Sequence, residues 1–99
     1  MIVVRNIFRT KFGQAKPVVA LWKEGIALMQ QAGSKGTARI LTDLTGPSYT
    51  VVIEISFASL TEFEQTAGGV MSNPEWHAWY QRLIPHIDSA HREILSIVA

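Results

Sequence analysis

The segment from Tyr49 to Ala58, YTVVIEISFA, leaves the fewest options for how this chain can fold. Successive side chains of a strand point to opposite faces. Tyr49, Val51, Ile53, Ile55 and Phe57 therefore share a face that is apolar throughout, and Val52, Glu54, Ser56 and Ala58 share the other. A stripe so rich in β-branched and aromatic residues predicts a strand with one face packed on a core. The opposite face is neither wholly polar nor wholly apolar.

The flanking sequence predicts what surrounds this strand. Residues 2–11, IVVRNIFRTK, read as a first strand that Gly13 ends. Residues 15–32 follow helical spacing: Val19, Trp22, Ile26 and Met29 form one stripe, with Val18, Leu21, Leu28 and Ala32 beside it. Pro17 fits the first turn, and Gly33 and Gly36 flank the stop. Residues 37–45 alternate as a second strand and Gly46-Pro47-Ser48 signals a turn, so an antiparallel hairpin with residues 49–58 is expected. Ser59 or Thr61 caps a helix that the glycines weaken near Gly68-Gly69. Ser72-Asn73-Pro74 restarts it, with Asn73 as N-cap and Pro74 in the first turn, and Pro85 ends or kinks it near Leu83–Ile84. Residues 91–98, HREILSIV, read as a last strand. The order β-α-β-β-α-β predicts an α+β, ferredoxin-like arrangement. It has a four-stranded antiparallel sheet with two helices on one face, in a single domain spanning residues 1–99.

The face of the sheet away from the helices should be polar if it meets water. Instead it carries Val3, Ile7, Leu41, Val52, Ala58, Leu95 and Ile97 among Arg5, Arg9, Arg39, Asp43, Thr45, Glu54 and Ser56. Such a patch marks an interface, and a second copy of the chain, sheet to sheet, is the simplest cover. The helix-side sets are Ala38, Ile40, Thr42 and Leu44 on the second strand, and Ile2, Val4 and Phe8 on the first, where Asn6 is the polar exception.

Composition removes several classes of function. A net charge of +1, with scattered basic residues, provides no field for nucleic acid or an anionic membrane. The absence of cysteine excludes disulfides, thiolate metal sites and cysteine nucleophiles. No apolar run approaches membrane-spanning length and Met-Ile-Val-Val-Arg does not open like a signal peptide, so cytoplasm is the expected compartment. His77, His86 and His91 lack metal-ligand spacing, and there is no phosphate loop or serine elbow. No metal or cofactor is expected.

Three stretches carry a resemblance: the first strand with Arg5 running into Gly13, the hairpin RILTDLTGPSYTVVIEISF, and NPEWHAWYQRL leading into HREILSIV. Over nearly its whole length the chain resembles the dimeric α/β-barrel superfamily, and within it the NIPSNAP-like proteins. The resemblance implies a homodimer of undefined activity. Its barrel interior, or a cleft beneath the second helix, would hold a small apolar or aromatic molecule. One alternative that it implies is a cofactor-independent monooxygenase or isomerase of an aromatic, polyketide-like substrate; a purely structural interaction module is another. Haem-degrading relatives use a first-strand Asn with a Trp and a His or Arg. Asn6 matches that type and element, but alignment on Ser72 leaves Val70 at the Trp position and Trp79 or Tyr80 at the His position.

No catalytic residue is named by the sequence. The ligand-binding candidates are Arg5, Asn6, Glu54, Trp76, His77 and Tyr80. Glu54, with Arg5 or Arg9, is either a ligand-orienting pair or a structural cross-strand pair. Asn6 is a site amide or one bonded to backbone. His77 looks into a cleft or into solvent, and Trp22, Trp76, Trp79 and Tyr80 are core, pocket wall or both.

Overall fold

Alternating and helical patterns become eight elements in the computed structural model, which describes residues 1–99. Strand β1 is Ile2–Thr10, helix α1 Ala15–Gln31, strand β2 Thr37–Thr42 and strand β3 Thr50–Phe57. Helices α2 (Leu60–Met71) and α3 (Pro74–Leu83) follow, then a 3-10 turn (Ile84–His86) and strand β4 (Ile87–Ser96). The strands lie in the order β2-β3-β1-β4, and every neighbouring pair is antiparallel. This is the ferredoxin-like α+β arrangement.

The helices cover one face of the sheet. Val51, Ile53, Ile55 and Phe57 of β3 and Val4 and Phe8 of β1 pack against Val18, Leu21, Trp22 and Met29 of α1, Val70 of α2, and Trp79 and Leu83 of α3. The expected helix-side stripes of β1 and β3 are therefore the core, except at Tyr49, which precedes β3 in a left-handed backbone conformation and lines a surface depression instead. Three tryptophans meet inside it: Trp22 lies 4.7 Å from Trp79 and 6.1 Å from Trp76, centroid to centroid, in edge-on arrangements. The indole N–H of Trp79 donates to the Leu21 carbonyl at 2.7 Å, which ties α3 to α1.

The break between α2 and α3 is built as expected. The Asn73 side chain accepts from the Glu75 N–H at 2.9 Å, and Pro74 takes the first helical position, where its missing donor costs nothing. Ser59, not Thr61, caps α2: its hydroxyl accepts from the Glu62 N–H at 3.2 Å while Glu62 returns a carboxylate to the Ala58 N–H at 2.8 Å.

Three expectations are corrected. Strand β2 ends at Thr42 rather than at residue 45, because the Asp43 carboxylate takes the Thr50 N–H at 2.9 Å and opens the hairpin into a loop. Leu44 consequently sits in that loop, 98% exposed, instead of on the helix-packed face. Helix α2 does not stop at Gly68-Gly69 but continues to Met71, since Val70 anchors its last turn in the core. Strand β4 begins at Ile87, four residues before the stretch that its apolar content marks. It is an edge strand with little to bury, so Asp88, Ser89, Ala90 and His91 pair with β1 without an apolar signal.

Candidate functional site

Residues that face each other in an antiparallel pair lie on the same side of the sheet. That rule divides the six candidate residues between two faces. Arg5 and Glu54 are opposite one another on β1 and β3, on the side away from the helices. Asn6, one residue along, is on the helix side with Arg92 of β4 opposite it.

On the open side the strand register aligns one row across the whole sheet: Arg39, Glu54, Arg5 and Glu93, one from each strand and alternating in sign. The Glu54 carboxylate receives Arg39 Nε at 2.7 Å and lies 3.2 Å from Arg5 Nε, and Arg5 Nη1 donates to Glu93 at 3.0 Å. The Arg5 Nε contact is at ion-pair distance but off the hydrogen-bond axis, which leaves that buried N–H without an acceptor. Glu54 is thus saturated by two guanidinium groups, an arrangement suited to holding strands together. The expected alternative partner, Arg9, bonds the Ser48 carbonyl at 3.4 Å instead. Apolar rows flank the charges: Val3 and Leu95 on one side, Leu41, Val52 and Ile7 on the other. Several of them keep substantial exposure, with Leu95 at 47%.

On the helix side, a cleft of about 420 Å³ runs between the β1–β4 half of the sheet and helices α2 and α3. It exists because β4 lies outside the area the helices cover, so Phe8, Trp22, Ile55 and Phe57 continue out of the core as the cleft wall. Asn6, Trp76, His77 and Tyr80 line it together, along with Phe63, Val70 and Met71 of α2. Four of the six sequence candidates therefore converge, at the end of the fold where α2 breaks into α3. Trp76 serves both core and cleft: its ring lies 4.6 Å from Trp79 while it borders the opening.

Sequence reasoning did not single out Arg92. Its Nε donates to Asn6 Oδ1 at 2.8 Å, and its guanidinium carbon stands 5.5 Å from the centre of the Phe63 ring. The only signal for it would have been its register opposite Asn6, which requires knowing that β4 begins at Ile87. Asn6 is therefore bonded by a side chain, not by backbone. A wider depression of about 790 Å³ lies between the start of α1 and the hairpin, lined by Phe12, Lys16, Lys23, Asp43 and Tyr49 among others. It is shallow, open to solvent and holds none of the candidates. No cluster of three metal-binding side chains forms, and no helix is long and apolar enough to cross a membrane.

The family model for NIPSNAP matches residues 5–99. The chain belongs to the NIPSNAP family. Its fold is close to that of a NIPSNAP domain protein from Burkholderia xenovorans, with a TM-score of 0.88 at 18% identity over 100% of this chain and 96% of that one. A NIPSNAP family protein from Agrobacterium tumefaciens superimposes with a TM-score of 0.84 at 26% identity, covering 96% of this chain and 90% of the other. An antibiotic biosynthesis monooxygenase shares the fold more distantly: TM-score 0.74, 12% identity, all of both chains covered. These neighbours share the ferredoxin-like α+β fold of this NIPSNAP chain. No curated protein matches its sequence. The family match assigns no defined activity to this chain.

Proposed function

We propose that this NIPSNAP protein works as a homodimer, paired through the open sheet face, and that each protomer binds a small apolar or aromatic molecule in the cleft between α2, α3 and the β1–β4 half of the sheet. The observation that carries the reading is the cleft itself. A concavity of about 420 Å³ walled by aromatic and aliphatic side chains, with a few convergent polar groups, has the make-up of a small-molecule site. The dimer is supported by the mixed open face, where apolar rows and a charge row lie side by side.

A thermal-shift screen of aromatic and quinone-like compounds tests the ligand. Compounds that bind the folded state raise the melting temperature in proportion to occupancy. Hits should also change tryptophan fluorescence, because Trp22 and Trp76 line the cleft. A screen without hits would favour an interaction module instead. Sedimentation at micromolar concentration tests the dimer, and a monomer there would remove it.

Asn6, His77 and Trp76 in one cleft support a second reading, a cofactor-independent monooxygenase or isomerase in which these groups position substrate and oxygen. Oxygen uptake with a compound that binds the cleft would separate this reading from simple binding.

A further inference from the structure

Charge in the cleft is one-sided. No aspartate or glutamate lines it, whereas Arg92 does. Arg92 belongs to none of the ion pairs of the molecule, which join Arg5, Arg39 and Arg82 to Glu24, Glu54 and Glu93. Its guanidinium is held on two sides: Asn6 Oδ1 accepts from Nε at 2.8 Å, and the Phe63 ring packs beside it at 5.5 Å. Those contacts orient the group and use one of its five N–H donors, leaving the terminal fork unpaired. The neighbouring polar atoms are also donors without acceptors. Asn6 turns its oxygen to Arg92, and its amide N–H groups make no hydrogen bond within the protein. The indole N–H of Trp22, on the inner wall, is buried and unbonded. Of these donors only the Trp22 N–H is buried, and an unpaired buried donor is costly and uncommon in folded proteins; Arg92 is exposed, so water meets its fork until a ligand does.

We infer that the cleft takes an amphipathic anion: an aromatic or aliphatic carboxylic acid whose carboxylate docks on the Arg92 fork and whose apolar body lies among Phe63, Trp76 and Tyr80. A carboxylate is the group that matches a guanidinium fork with two parallel hydrogen bonds. The remaining walls are mainly apolar, with Thr66 and His77 among their few polar residues. This inference rests on the cleft reading above and adds the charge of the ligand and the residue that reads it.

The test compares 2-naphthoate with its neutral isostere 2-naphthamide, by calorimetry and tryptophan fluorescence. The wild-type protein should bind 2-naphthoate at least tenfold more tightly than 2-naphthamide, with a preference that falls as salt rises. Arg92→Gln should abolish the preference while leaving 2-naphthamide affinity unchanged, and Arg92→Lys should keep part of it. Arg92 is on an exposed edge strand, so both variants should melt close to wild type. Equal binding of the two compounds by wild type, or a preference that survives Arg92→Gln, overturns the inference while leaving the cleft reading intact. Failure of both compounds to bind overturns the inference and the cleft reading together.

Discussion

Gly25 shows what a single residue contributes here. It sits inside α1, where glycine costs up to about 1 kcal/mol relative to alanine, and nothing in the local pattern asks for it. The reason lies in another helix. A Cβ built on Gly25 would stand 2.5 Å from Cζ2 of Trp79, whose ring presses on the α1 backbone and bonds the Leu21 carbonyl. Gly25→Ala should therefore destabilise the protein by about 1–3 kcal/mol despite the gain in helix propensity, because overpacking a dense core outweighs it. Thermal and urea melts measure this. A stabilised variant would mean that the ring can retreat. Gly68 and Gly69 are the opposite case, since neither has an atom within 4 Å of where a Cβ would go and neither has positive φ. Alanine at either position should raise stability by about 0.4–1 kcal/mol.

At the scale of elements, the break between α2 and α3 positions the site. It turns the chain so that α2 presents Phe63 and Val70 and α3 presents Trp76, His77 and Tyr80 to the same cleft. The turn is stabilised by the Asn73 cap on Glu75 N–H, so Asn73→Ala should cost about 1 kcal/mol of global stability. The same change should raise amide exchange in the first turn of α3. Two glycines precede the break, and Met71 beside it is 73% exposed. Binding of 2-naphthoate should slow exchange across residues 67–77 more than in β1 or β3. Equal protection throughout would locate the bound molecule elsewhere.

For the whole molecule, the open face is decisive. Val52 lies at its centre, only 9% exposed even within one protomer. Val52→Asp should destabilise the fold by several kcal/mol and abolish the proposed dimer, because an unpaired charge is placed among Leu41 and Ile7. The charge row also selects how two copies meet. A two-fold axis along the strands sets Arg39 of one copy against Glu93 of the other and Glu54 against Arg5, opposite signs throughout. An axis across the strands would oppose like charges, which is unfavourable. The chain has no cysteine, so thiols can be introduced cleanly. Within one protomer positions 39 and 93 are three strand spacings apart, about 14 Å, beyond the reach of dibromobimane. The double variant Arg39→Cys, Glu93→Cys should thus cross-link only between copies, and neither single variant should. Cross-linking of a single variant would assign the other axis.

Periodicity is a local property, and what it reports was legible in the sequence. The apolar stripe of β3 and the helical spacing of α1 predict the layers. The Asn73-Pro74 restart predicts the helix break, and the mixed second face of the sheet marks a surface to be covered. Each follows from side chains a few residues apart on one element, whose facing depends only on the 2.0 or 3.6 repeat. Strand register, by contrast, is set between distant segments, and only the tertiary structure decided it. It sets Glu54 between Arg39 and Arg5 rather than beside Arg9, and puts Arg92 opposite Asn6 across 86 residues. The start of β4 was illegible because an edge strand buries too little to need an apolar pattern, and Gly25 was illegible because its reason is the Trp79 ring on another helix. Where a side chain faces can be read from its neighbours in sequence; what it meets depends on how separate elements pack, and that packing assembles the cleft.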